Sequence, residues 1–170
     1  MNLSDSRTIK ADIQTVWVAI LNADVLKECV PGCQEMTGSP EDGFEAVVVQ
    51  KVGPVKATFK GQVELQDMVA PNSLKIVGAG KGGAAGFAKG VADVRLQADG
   101  DSTILNYDVE AKIGGKLAQL GSRIIDGFAK KMADEFFTRF QNALEEPEEE
   151  DAAQAEEETA KKGWFKRLVS

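Results

Sequence analysis

Two periodicities divide this chain of 170 residues. Between 114 and 145 the apolar positions recur every three or four residues. Leu117, Leu120, Ile124, Phe128, Met132, Phe136, Phe140 and Leu144 form one stripe, which Ile125 and Phe137 widen. Lys116, Arg123, Lys130, Lys131, Glu135 and Arg139 take the other positions, so the spacing predicts one long amphipathic helix. At the usual rise it would be about 45 Å long. A shorter stretch behaves the same way near the start. Ile13, Val16, Trp17, Ile20 and Leu21 share a helical face, with Asp12 placed to cap it. Residues 23–29 read as a second helical turn, which Pro31-Gly32 ends.

The rest is strand-like. Segments 3–10, 33–39, 44–52, 55–68, 73–80, 87–98 and 102–113 are bounded by turn signals such as PEDG, VGP, APNS, KGGAAG and ADGD. The predicted order is therefore one strand, two short helices, six strands and a long helix, in an α+β domain over residues 1–144. Short turns favour antiparallel hairpins. Seven such strands need a cover, and a long amphipathic helix laid across a curved sheet supplies it. That arrangement encloses a space between helix and sheet.

Composition narrows the chemistry. The chain has no histidine, which excludes Ser-His-Asp and Cys-His catalysis and most zinc sites. The two cysteines, Cys29 and Cys33 in CVPGC, read as small, partly buried thiols rather than as ligands or a disulfide. Carboxylate pairs such as Glu41/Asp42 and Asp99/Asp101 sit in turns, where turn chemistry accounts for them. No catalytic or metal-ligating set emerges. The glycine run in KGGAAGFAKG lacks the strand–loop–helix context of a phosphate cradle, since a strand pattern follows it. A mobile hairpin loop at the cavity mouth, or a partner contact, fits it better. No window holds eighteen consecutive apolar residues, and the first residues lack a secretory pattern, so a cytoplasmic protein is expected.

The net charge of −7 is uneven. Residues 145–170 hold nine acids and four bases, leaving 18 acids and 16 bases in residues 1–144. The body is thus near neutral, and nothing indicates a nucleic-acid surface. The segment 145–160 is an acidic, Pro-interrupted linker of about 15 residues, spanning roughly 20 Å as a flexible chain. It would hold the body off an anionic bilayer. The tail that follows, KKGWFKRLVS, combines Lys161, Lys162, Lys166 and Arg167 with Trp164, Phe165 and Leu168. This mixture is expected of an interfacial membrane contact, while a partner-protein contact or a free tail are the alternatives.

The stretch VWVAILNADVLKECVPGC, with FKGQVELQD and KGGAAGFAKGVADVRLQ later, resembles the CoxG family of carbon monoxide dehydrogenase accessory proteins, over about residues 2–141. That family is START-like (SRPBCC), with a helix-grip fold. The resemblance implies a seven-stranded antiparallel sheet wrapped around the C-terminal helix, with hydrophobic ligands held between them. It also implies a non-catalytic helper of a molybdenum hydroxylase of the carbon monoxide dehydrogenase type. Such a helper would recruit the enzyme to the inner leaflet of the cytoplasmic membrane and deliver a quinone, menaquinone or ubiquinone, as electron acceptor. A carrier of another lipid, a ligand-free assembly factor and, last, an enzyme remain as alternatives.

A quinone site needs apolar walls and one or two donors to its carbonyl oxygens. The candidate walls are Phe44, Phe59, Phe87, Tyr107, Ile124, Ile125, Phe128 and Met132. Tyr107 shares strand parity with Leu105, Val109 and Ala111, so it, rather than Asn106, is expected to face inward as a donor. Gly114, Gly115, Gly121 and Gly127 fall within the expected helix, where glycine costs about 1 kcal/mol relative to alanine. They leave open either a space for ligand or a close approach of the sheet.

Overall fold

A computed structural model describes residues 1–145. The acidic linker and the basic tail, with Lys161, Lys162, Trp164, Phe165, Lys166, Arg167 and Leu168, lie outside the described residues. The elements are β1 (Asn2–Ile9), α1 (Ile13–Ile20), α2 (Ala23–Cys29), β2 (Cys33–Ser39), β3 (Gly43–Val52), β4 (Val55–Val69), β5 (Ser73–Lys81), β6 (Phe87–Asp99), β7 (Ser102–Gly114) and α3 (Ser122–Leu144). The strands form one antiparallel sheet in the order β1-β7-β6-β5-β4-β3-β2. Each predicted strand is present, with ends shifted by a residue.

The local chemistry explains the breaks. Asn22, which interrupts the first helical pattern, caps α2 by accepting hydrogen bonds from the Asp24 and Val25 amides. Asp12 stands at the N-cap of α1, but its carboxylate takes the Thr15 hydroxyl rather than a backbone amide.

The long helix needs correction. Residues 114–145 are not one helix: β7 runs to Gly114, a 3-10 segment covers Gly115–Leu120, and α3 starts only at Ser122. Gly115 (φ +77°) and Gly121 (φ +95°) bracket that segment in left-handed backbone, which side chains resist. The apolar stripe survives the break because Leu117 stays buried while Leu120 packs beside it. Only Gly127 of the four glycines is inside the helix, and α3 is about 35 Å long.

Strand alternation assigns the faces. Ile9, Leu74, Val94, Leu96, Leu105 and Tyr107 face α3 and are buried. They join Val16, Trp17 and Ile20 of α1, Val25 and Cys29 of α2, and Phe137, Phe140 and Leu144 of α3 in a core of 15 buried residues. Phe140 is fully buried and stacks on Phe136, with centroids 5.6 Å apart. A second cluster has only Val52, Leu117 and Ile125 buried, with Met1, Val55, Phe59, Ile113, Leu120 and Phe128 packed against it. It sits at the opposite end of the sheet, beside the β3–β4 turn.

The glycine-rich loop between β5 and β6 is a packed turn, not a slack one. Ala85 is buried, and a Cβ on Gly86 (φ +117°) would stand 2.1 Å from the Gly114 carbonyl oxygen. Gly127 is the converse case, with nothing within 4 Å of an added Cβ. Gly86→Ala is therefore expected to destabilise by more than about 2 kcal/mol. Gly127→Ala should stabilise by roughly 0.5–1 kcal/mol. Urea unfolding of the two variants beside the parent checks both signs.

Candidate functional site

The helix α3 is fastened at its ends. Its buried side chains are Ile125 near the start and Phe137, Phe140 and Leu144 in the last two turns. Between Ile125 and Phe137 no side chain of the helix is buried, over about three turns and roughly 18 Å. Phe128, Ala129, Met132, Ala133 and Phe136 are apolar in this stretch, yet each is only half-buried.

The sheet opposite is lined by small residues. One register row of inward-facing residues crosses Ala111, Gly90, Gly78, Val63 and Phe44. The next row holds Ile113, Ala88, Gly80, Gly61 and Ala46. Glycine and alanine give little side-chain volume. Inward residues such as Val48, Val63, Ile76, Ala92 and Val109 accordingly stay half-buried. An inward apolar side chain that keeps solvent exposure must border a space, so the middle of the grip is not filled.

The candidate wall residues divide over this geometry. Phe59, Ile125 and Phe128 come together in the second cluster, and Met132 is half-buried one turn beyond Phe128. Tyr107 faces inward as expected and stacks on Phe137, with centroids 5.2 Å apart. Phe44 is buried and inward but belongs to neither cluster. Ile124 and Phe87 are displaced from the set, at 41% and 43% exposure. Phe87 has the outward parity of β6 and lies over Gly114, because residue 87 alternates with the inward Ala88. As walls, both are corrected to surface positions.

Arg7 is the residue the sequence reading missed. Its signal was parity, since it shares the inward face of β1 with Leu3 and Ile9. Its guanidinium lies over the Phe137 ring at 5.1 Å and pairs with Asp134 of α3. Burial alone would lower the Arg7 pKa, but the neighbouring Asp134 and Tyr107 outweigh it and hold the charge. Bonds from Arg7 and then Lys130 keep the Asp134 carboxyl below its usual range. The Arg7 Nε is buried with no hydrogen-bond partner among the described residues.

A trough of about 1050 Å³ follows the same row of the sheet. Glu110 and Lys112, Lys89 and Val91, Val77 and Ala79, and Gln62 and Glu64 flank the inward row on successive strands, and no described residue of α3 lines it. Its walls combine the inward row itself, Ala111, Gly90, Gly78, Val63 and Phe44, with outward neighbours such as Glu45, Glu64 and Glu110. The cysteines carry no evident chemistry: burial pushes the Cys29 thiol up to about 12, and Cys33 is also raised by burial. Among the described residues there is no group of three His, Cys, Asp or Glu that could hold a metal. Nor is any helix there long and apolar enough to cross a membrane.

Comparison with known proteins agrees with this architecture. A conserved protein from Geobacillus kaustophilus superposes with a TM-score of 0.79 at 28% identity, covering 85% of this chain and 95% of its own. A START superfamily protein from Mycobacterium smegmatis matches with a TM-score of 0.63 at 12% identity, covering 84% and 96%, a likeness of fold alone. A Chromobacterium violaceum protein matches similarly, at a TM-score of 0.62 and 12% identity over 84% and 96%. No curated protein matches the chain. The model of the CoxG family, described as a subunit of carbon monoxide dehydrogenase, matches residues 6–145, nearly the whole helix-and-sheet domain. On that match and this START-like fold, the chain belongs to the carbon monoxide dehydrogenase CoxG family.

Proposed function

We propose that this chain is a non-catalytic accessory of a molybdenum hydroxylase of the carbon monoxide dehydrogenase type, and that it holds a quinone between α3 and the sheet as that enzyme's electron acceptor. The family match supports the accessory role. The observation that carries the ligand reading is the unfilled middle of the grip, where three turns of α3 bury no side chain opposite Gly61, Gly78, Gly80 and Gly90. A flat ring with an apolar tail suits a space walled by Phe59, Phe128, Met132 and Val63. A quinone carbonyl also needs a donor, for which the unpartnered Arg7 Nε, beside Tyr107, is the candidate. The bound quinone would be shielded from water and reduced in place by the partner enzyme. The segment beyond residue 145 would then bring the carrier to the bilayer, where such a ligand dissolves.

Organic extraction of the purified full chain followed by mass spectrometry should release menaquinone or ubiquinone. Release of a different lipid would make the protein a carrier of another class, and an empty extract would favour an assembly factor acting by contact alone. Ala92→Phe should fill the space from the sheet side. We expect it to lower the extracted quinone about tenfold or more without lowering the melting temperature. Unchanged quinone content in a folded variant would count against this location. The tail has its own check: the full chain should pellet with anionic liposomes, and a chain ending at Leu144 should pellet markedly less. Equal pelleting would remove the tail from the mechanism.

A further inference from the structure

Charge is unevenly placed along the strands. Three segments meet at the end of the sheet that carries the β3–β4 turn, the β5–β6 loop and the start of α3. These segments, 46–61, 76–92 and 111–125, contain eight basic residues and no acid, and the acids beside them at this end are Glu35 and Glu45, in the outward rows of Lys60–Lys81 and Lys89–Lys112, and Asp126. The other described residues hold eight bases and 19 acids. The near neutrality of the body therefore hides a local excess of base at this end.

The register makes this excess of base more specific. Lys51 stands directly opposite Lys56, Lys60 opposite Lys81, and Lys89 opposite Lys112. All six have the outward parity of their strands and all are exposed. Like charges directly opposite on adjacent strands destabilise the pair, so three such pairs on one face oppose folding. None of the six has a carboxylate within salt-bridge distance among the described residues. The exposed Phe87 and Ile124 lie at the same end, the former over Gly114 and the latter beside Gly53. A lysine field with apolar side chains at its tip is complementary to a phospholipid surface: ammonium groups meet the headgroup phosphates while the apolar groups enter the interface. An acidic protein surface would match the lysines but would leave Phe87 and Ile124 unexplained.

We propose that this end of the domain is itself a docking surface for an anionic bilayer, with Lys51, Lys56, Lys60, Lys81, Lys89 and Lys112 on the headgroups and Phe87 and Ile124 at the acyl boundary. The inference rests on the carrier reading in one respect. The two ends of the grip are closed unequally, by a cluster of 15 buried residues at one end and of three at the basic end. The thinly closed end then faces the bilayer, which gives a lipid-soluble ligand a route that avoids water. The acidic linker cannot simply hold the body away, because the end turned to the bilayer carries an excess of base.

The test replaces one lysine of each pair in the full chain, Lys51→Glu, Lys60→Glu and Lys89→Glu together. Each change turns a repulsive pair into an attractive one, so the melting temperature should equal or exceed that of the parent. Partition onto vesicles of 70% phosphatidylcholine and 30% phosphatidylglycerol should nevertheless fall by at least about 30-fold. Parent binding should weaken in 500 mM salt and be negligible on pure phosphatidylcholine. Phe87→Ser should weaken binding at both salt concentrations. Undiminished vesicle binding by the stable triple variant would overturn the proposal, leaving the tail as the whole contact. So would retained vesicle binding with lost capture of the partner enzyme, which would make the face a protein site. Ligand extracted from the same variant separates the two readings: quinone content should match the parent, and its absence from both proteins would sink the carrier while leaving the docking result standing.

Discussion

The structure depends on how α3 is held. A helix laid over a sheet ordinarily buries a continuous stripe, and its stability comes mainly from that tertiary packing. Here the stripe is interrupted. Phe137, Phe140 and Leu144 fix one end among α1, α2 and the inward face of the sheet, while Ile125 fixes the other against Val52 and Leu117. Replacing a fully buried phenylalanine by alanine typically costs about 3–5 kcal/mol, so the phenylalanine end can support a lever whose middle contributes little. The pair formed by Arg7 and Asp134 ties α3 to β1 just before that end. With both ends held, the sheet can carry glycine and alanine beneath the middle of the helix.

Much of this was legible in the chain. The seven strands were readable because turn residues punctuate them and because their apolar, β-branched content differs from that of the helix. The inward orientation of Tyr107 followed from alternation alone. The error over residues 114–121 has a definite origin: Leu117 and Leu120 keep helical spacing, and periodicity does not register that Gly115 and Gly121 adopt positive φ. Spacing is a property of side chains, whereas the break is a property of the backbone.

The site was less legible. Phe87 and Ile124 are as apolar as their buried neighbours, and only the register and the true start of α3 place them outside. Arg7 looked like an ordinary strand cation until Asp134 and the Phe137 ring were brought to it across the fold. The lysine pairs are a still clearer case. Lys60 and Lys81, or Lys89 and Lys112, are about 20 residues apart in sequence, and their opposition exists only once the strands are registered. Counting charges along the chain gave a neutral body, while folding gathers a local excess of base at one end.

The unequal closure of the grip also sets an order of opening. Local unfolding free energy follows the buried apolar contacts that each segment must give up. The 3-10 segment and the first turns of α3 hold only Leu117 and Ile125 in the core, with Gly121 between them. The last turns of the same helix are built into the larger cluster. The first turns of α3 are therefore the cheaper end of the helix to open, and Phe137–Leu144 the costlier.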